Sequence, residues 1–173
     1  MAGTLVVLTG ASGVGKTAIA LEVERSHPDY DVFRFDTIGV PSAEVMFSYG
    51  TGHQPGGAWQ RAMTVQWFER IAPIVEGGRS VLFEGQMRIA FILEALQRRP
   101  LPNVHVLLVE CDDSIRDARL MHDRGQPELA NDSMRSWSRY LKREAVKEGI
   151  EILDTGENSL ADSVACVLRY LGS

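Results

Sequence analysis

Cysteine is scarce: the 173 residues hold two, Cys111 and Cys166. That excludes a disulfide scaffold and any cysteine-based metal spacing, and both read as reduced thiols in apolar surroundings. Basic residues show no excess, with 18 Lys and Arg against 23 Asp and Glu and a net charge of -5. Nucleic-acid phosphates call for clustered cations, so no nucleic-acid partner is expected. A local arginine cluster could still hold a small anion. No apolar run approaches the ~20 residues that a membrane-spanning helix needs. The opening Met-Ala-Gly-Thr-Leu lacks a charged n-region, so the expectation is a cytoplasmic protein with no membrane partner. Repeats and low-complexity tracts are missing as well, and His27, His105 and His122 have no partner at a catalytic spacing.

What is present is an alternation of short apolar runs with longer stretches of helical period. Leu5–Leu8, Tyr30–Phe35, Ser80–Phe83, Val104–Val109 and Ile150–Leu153 read as five strands. Between and after them, Thr17–Arg25, Ala58–Val75, Arg88–Gln97, Ser114–His122, Ser133–Lys147 and Leu160–Leu171 read as helices. Strands alternating with helices predict an α/β fold of three layers, a mostly parallel five-stranded sheet with helices on both faces. The length suits one domain spanning residues 1–173. Ligands of such sheets collect at the carboxyl ends of the strands, which is where every polar motif here begins.

The most specific motif follows the first strand. Gly10, Ala11, Ser12, Gly13, Val14, Gly15, Lys16 and Thr17 fit G-x-x-x-x-G-K-[ST], with a strand before and a helix after. Gly10 and Gly15 permit backbone angles that turn consecutive N–H groups toward phosphate oxygens. Lys16 supplies a cation to the β- and γ-phosphates, Thr17 a hydroxyl to Mg²⁺, and the following helix its positive end. The motif predicts a P-loop NTPase fold that binds ATP with Mg²⁺, GTP remaining open as donor.

With that loop in place, the order and spacing of elements resemble the small phosphate-loop kinases over essentially the whole chain. That group holds nucleoside monophosphate, shikimate and gluconate kinases and chloramphenicol phosphotransferase. Phe35-Asp36-Thr37 is similar to the Val-Asp-Ser of chloramphenicol phosphotransferase. The resemblance implies that Asp36 faces an acceptor hydroxyl and takes its proton; the alternative is a turn-capping Asp. Glu84-Gly85-Gln86-Met87-Arg88 is similar to the adenylate kinase run of acid and Gly-x-x-Arg. It implies Glu84 beside the metal or the substrate, and Arg88 as an anion contact or a solvated helix start. Arg116, Arg119 and Arg124 fall where these kinases carry a lid, here a short segment about 124–132, so Arg119 and Arg124 are expected over the transferred phosphoryl group. Arg116 could instead pair with Asp112 or Asp113, and Arg135 and Arg139 are weaker candidates. The Asp154-Thr155-Gly156 loop would lie beside the adenine.

Two departures from the nucleotide-kinase pattern stand out. The lid is short, and no obvious Arg after Asp36 waits for an acceptor phosphate, although Arg61 and Arg88 could substitute. Residues 37–70 would cover the acceptor, offering Tyr49, His53, Gln54, Trp59 and Gln66 to a polar ligand with one flat face. Trp67 and Trp137 are expected in the core. The expected activity is phosphate transfer to a hydroxyl of a small-molecule acceptor. A nucleotide kinase and a nucleotide-operated switch remain as alternatives.

Overall fold

The computed structural model describes residues 1–52 and 57–172. Five strands form one sheet in the order β2-β3-β1-β4-β5: β1 Leu5–Thr9, β2 Asp31–Arg34, β3 Val81–Gly85, β4 Val104–Glu110 and β5 Glu151–Asp154. Every pairing is parallel. All five residues of β1 are buried, because the central strand is covered on both faces. Val6 and Leu8 pack among helices α1 (Lys16–Ser26) and α7 (Leu160–Leu171) on one face. Leu5 and Val7 meet α3 (Gly57–Glu76) and α4 (Ile89–Arg98) on the other, as the two-residue period of a strand requires. A smaller cluster seats α6 (Asp132–Glu148) against β4 through Leu108 and Leu141.

The register decides where the site lies. Leu8 is level with Glu84 and with Leu107, and Arg34 is level with Glu84. The loop after β1, the end of β3 and the turn after β2 therefore open on one edge. At Gly85 the chain after β2 comes so close that a β-carbon would lie 2.4 Å from Phe35 Cβ. Glycine there lets Phe35 and Asp36 sit against β3.

Several boundaries differ from the sequence expectation, each for a local reason. The second strand stops at Arg34, and Phe35–Ile38 winds into a 3₁₀ turn that carries Asp36. Short helix α2, Ala43–Phe47, forms in the covering region, with the Ser42 hydroxyl accepting from Val45 N–H. Arg88 stands just before α4, in extended conformation, rather than opening it. The helix expected at Ser114–His122 is divided into α5 (Asp113–Ala118) and a π-helical turn, Arg119–Asp123. In α1 the buried stripe is Ile19, Ala20 and Val23, while Leu21 remains half exposed. Trp67 is buried, as expected, donating its N–H to Phe35 O at 3.2 Å. Trp137 is only half buried. Among the described residues no helix is long and apolar enough to cross a membrane.

Candidate functional site

Gly10–Thr17 wraps from β1 into α1, with φ of +154° at Gly10 and +105° at Gly15, the residue that precedes the helix. Lys16 is buried and its ammonium donates to Ala11 O at 2.9 Å, drawing the loop around itself. Burial lowers the Lys16 pKa to about 8, against the raising influence of the Glu84 and Asp36 carboxylates, and Arg124 lowers it further. Four sequence-predicted groups (Lys16, Glu84, Asp36 and Arg124) therefore share one electrostatic neighbourhood.

Thr17 and Glu84, 67 positions apart, meet directly. The Thr17 hydroxyl donates to Glu84 Oε1 at 3.1 Å, with Glu84 buried at the end of β3 and Thr17 exposed at the start of α1. Among the described residues no three His, Cys, Asp or Glu side chains gather as a closed metal cage. One hydroxyl and one carboxylate suit Mg²⁺, which keeps several waters and takes its other ligands from substrate phosphates. The donor set fits the ion that the phosphate-loop motif implies.

Beside the loop lies a cleft of about 520 Å³, within the range of small-ligand sites, lined by Gly15, Lys16, Thr17, Leu21, Arg119, Arg124 and Thr155 among others. The π turn aligns its two arginines. Arg124 N–H bonds to Arg119 O at 3.0 Å, an i to i+5 link that sets residues five apart one turn from each other. Arg119 is clamped by four acceptors: Thr155 Oγ1 at 2.9 Å, Thr155 O at 2.8 Å, Val14 O at 3.3 Å and Cys111 Sγ at 3.6 Å. It joins the phosphate loop to the loop after β5. Arg116 takes another place, with no exposed side-chain surface and Nη2 2.8 Å from Asp113 Oδ1. It underlies Gly13, where a β-carbon would fall 2.9 Å from Arg116 Cγ at a φ of +83°. Arg135 is paired with Asp117 and Asp132, and Arg139 donates to Arg135 O.

On the opposite side Asp36 is exposed to a second cleft, about 420 Å³, lined by Phe35, Val40, Trp59, Gln60, Gln86 and Trp137. A chain of amides connects this cleft to the phosphate loop. Gln60 Oε1 accepts from Arg88 N–H at 2.9 Å, and Gln60 Nε2 donates to Gln86 O at 2.7 Å. Gln86 Nε2 in turn donates to Ser12 Oγ at 2.7 Å.

Other expected residues stand apart. The Arg88 side chain is held by Glu144 at 3.1 Å and lies over the rings of Phe91 and Tyr140. Tyr140 donates to the same glutamate at 2.7 Å; burial, first, and that bond push its pKa up to about 12. Arg88 is thus engaged inward, neither a solvated helix start nor part of the Asp36 cleft. Arg61 is gripped by Glu94 at 2.6 and 2.5 Å. Tyr49 is exposed and lines a separate hollow with Arg61 and Arg98. His53 and Gln54 lie outside the described residues. Sequence reasoning missed Gln60, Gln86 and Trp137. Gln86 lies inside the Glu84–Arg88 motif and Gln60 next to Trp59, yet a glutamine by itself carries no signal, and the position of Trp137 depends on how α6 returns across the sheet.

No family model matches this chain, and no curated protein matches by sequence. Solved structures do match. A gluconokinase from Sinorhizobium meliloti aligns over 98% of this chain and 92% of its own at 16% identity, with a TM-score of 0.66. Thymidylate kinase from Candida albicans aligns over 99% and 92% at 14% identity, TM-score 0.64. The Mycobacterium tuberculosis APS kinase, solved with AMPPNP and APS, aligns over 99% of both chains at 15% identity, TM-score 0.62. The chain has the fold of the small P-loop kinases, and the resemblance read from its motifs extends to the whole architecture.

Proposed function

We propose that this protein is a kinase that moves the γ-phosphoryl group of ATP to a hydroxyl of a small molecule. The observation that carries the reading is the position of Asp36. It stands close enough to raise the Lys16 pKa, yet opens on a different cleft from the one lined by Gly15, Lys16, Thr17 and Arg124. A phosphate held by the loop and a hydroxyl held in the second cleft would meet between them.

In this reading Gly10, Ala11, Ser12, Gly13, Val14 and Gly15 present backbone N–H groups to the phosphates, and Lys16 reaches the β- and γ-oxygens. Thr17 and Glu84 would hold Mg²⁺, which supplies neutralisation of phosphate charge when bound. Asp36 orients the acceptor hydroxyl and receives its proton as the oxygen bonds to phosphorus and the bond to the β-phosphate oxygen breaks, releasing ADP. Arg124 stabilises charge spreading over the transferred group, and Arg119 fixes the donor side through Val14 and Thr155. The engagement of Arg61 and Arg88 by glutamates counts against a nucleotide kinase that would use them to grip an acceptor phosphate.

The test is ADP release from ATP and Mg²⁺ with and without pooled hydroxylated metabolites and antibiotics. Stimulation by one pool, lost in Asp36→Asn while nucleotide binding persists, supports the kinase. Tight ATP binding with slow hydrolysis that no pool alters would favour a nucleotide-operated switch.

A further inference from the structure

We infer that the acceptor is a hydroxylated molecule without phosphate, sulfate or carboxylate, which lays a flat apolar face against tryptophan walls. The inference rests on the kinase reading above and narrows it to a substrate class.

The lining of the Asp36 cleft carries the argument. Among the described residues that line it there is no Lys, Arg or His, and its one charged group is the Asp36 carboxylate. An anionic substituent placed there would meet like charge, and none of the described lining residues would supply a cation. One amide N–H of Gln60 and one of Gln86 are already committed, to Gln86 O and to Ser12 Oγ, and what each amide has left is a neutral donor rather than a cation. Three arginines on α4, its start and α3 are committed to carboxylates: Arg88 to Glu144, and Arg61 and Arg98 to Glu94. Lys16 is bonded across the phosphate loop and is absent from this lining. An anion brought up to the Asp36 carboxylate without a pairing cation is disfavoured by like-charge repulsion.

The walls favour a particular shape. Trp59 stands edge-on to Phe35, with ring centroids 5.8 Å apart and an interplanar angle of 84°. Trp137 is stacked on Tyr140 at 5.7 Å and 10°. Each indole is braced by a neighbouring ring, so little rotamer freedom is lost when a ligand arrives. Broad, rigid aromatic surfaces with few free polar groups suit a planar ring or the apolar face of a sugar.

The experiment measures acceptor-dependent ADP release with a hydroxylated-compound library arranged in pairs differing only by an anionic group. Thymidine with its 5′-monophosphate, phenyl glucoside with phenyl glucuronide, and methyl shikimate with shikimate are among them. The expected result is that active pairs favour the member without the anion by at least ~10-fold in kcat/KM, the scale of an uncompensated like-charge contact. Trp59→Ala and Trp137→Ala should raise KM for that compound more than they lower kcat. Val40→Arg, at a position 61% exposed on the cleft rim and therefore tolerant, should improve the anionic member at least ~3-fold. Preference for the anionic member would overturn the inference and leave the kinase reading standing. Unchanged KM in both folded tryptophan variants would overturn the aromatic walls. Stimulation by no compound of either kind would bring down the kinase reading and this inference with it.

Discussion

The donor half and the acceptor half of the proposed site are built differently. The donor half starts on β1, the most buried strand, and its loop is pinned from three sides: by Lys16 to Ala11, by Arg119 to Val14 and Thr155, and by Arg116 beneath Gly13. The acceptor half hangs on a 3₁₀ turn after the edge strand β2, a five-residue helix, and the first turn of α3. Phe35 packs it against β3, and the amides of Gln60 and Gln86 link it by hydrogen bonds to the phosphate loop. A loop packed on the sheet centre suits one fixed chemistry, the phosphate binding proposed for it. A cleft walled by peripheral turns can change its occupant while the sheet stays the same.

That contrast is sharpest at Lys16. Lys16→Ala should weaken nucleotide binding by on the order of 10³-fold, because a buried charge contact to phosphate is removed; titration calorimetry with ATP and Mg²⁺ measures it. Affinity near wild type in a folded variant would mean that the donor half does not bind phosphate. Asp36→Asn probes the other half. It should cut acceptor-dependent turnover by at least ~100-fold while ATP affinity is kept, the scale of general-base catalysis. Full activity in the variant would reduce Asp36 to a turn residue.

A smaller effect follows from the pKa of Lys16. Because burial holds it at about 8, the ammonium is half lost at that pH, whereas an arriving phosphate favours the charged form. Nucleotide binding should therefore be coupled to proton uptake, and the dissociation constant should rise as pH increases. About a tenth of Lys16 is protonated at pH 9, which predicts roughly tenfold weaker binding there than at pH 7. A flat profile between pH 7 and 9 would show that the loop binds phosphate without needing the charge on Lys16.

The same contrast governs what the sequence discloses. Strand identity and the phosphate loop were legible because both are local patterns: an apolar run at Leu5–Leu8, then glycines and Lys16 at fixed offsets. A motif resemblance alone places Glu84 beside the metal or the substrate, and its bond to Thr17 comes from the parallel register that brings the end of β3 level with the loop after β1. The acceptor lining was not legible. Trp137 reads as an ordinary helix-face aromatic, and only the return of α6 across the sheet brings it to the cleft that Asp36 lines. The π turn at Arg119–Asp123 was hidden for a related reason, since one extra residue in a helical turn leaves the apolar period nearly intact.

Arg88 is where the two halves could still be confused, so the last prediction isolates it. A motif resemblance places it on an anion, whereas the structure holds it against Glu144, Phe91 and Tyr140. Glu144 also accepts the N–H of Ile89 at 3.2 Å, so this carboxylate both pairs a partly buried arginine and caps the start of α4. Glu144→Gln should then leave acceptor-dependent turnover within about twofold, because neither cleft includes that side chain. Stability should fall by about 2 kcal/mol from the unpaired arginine, a drop of roughly 5 °C in Tm for a chain of this size. A variant with unchanged Tm but slower turnover, and a raised KM for the acceptor, would move Arg88 from the scaffold into the acceptor site. It would also reopen the case for an anionic acceptor that the closed Arg88–Glu144 pair argues against.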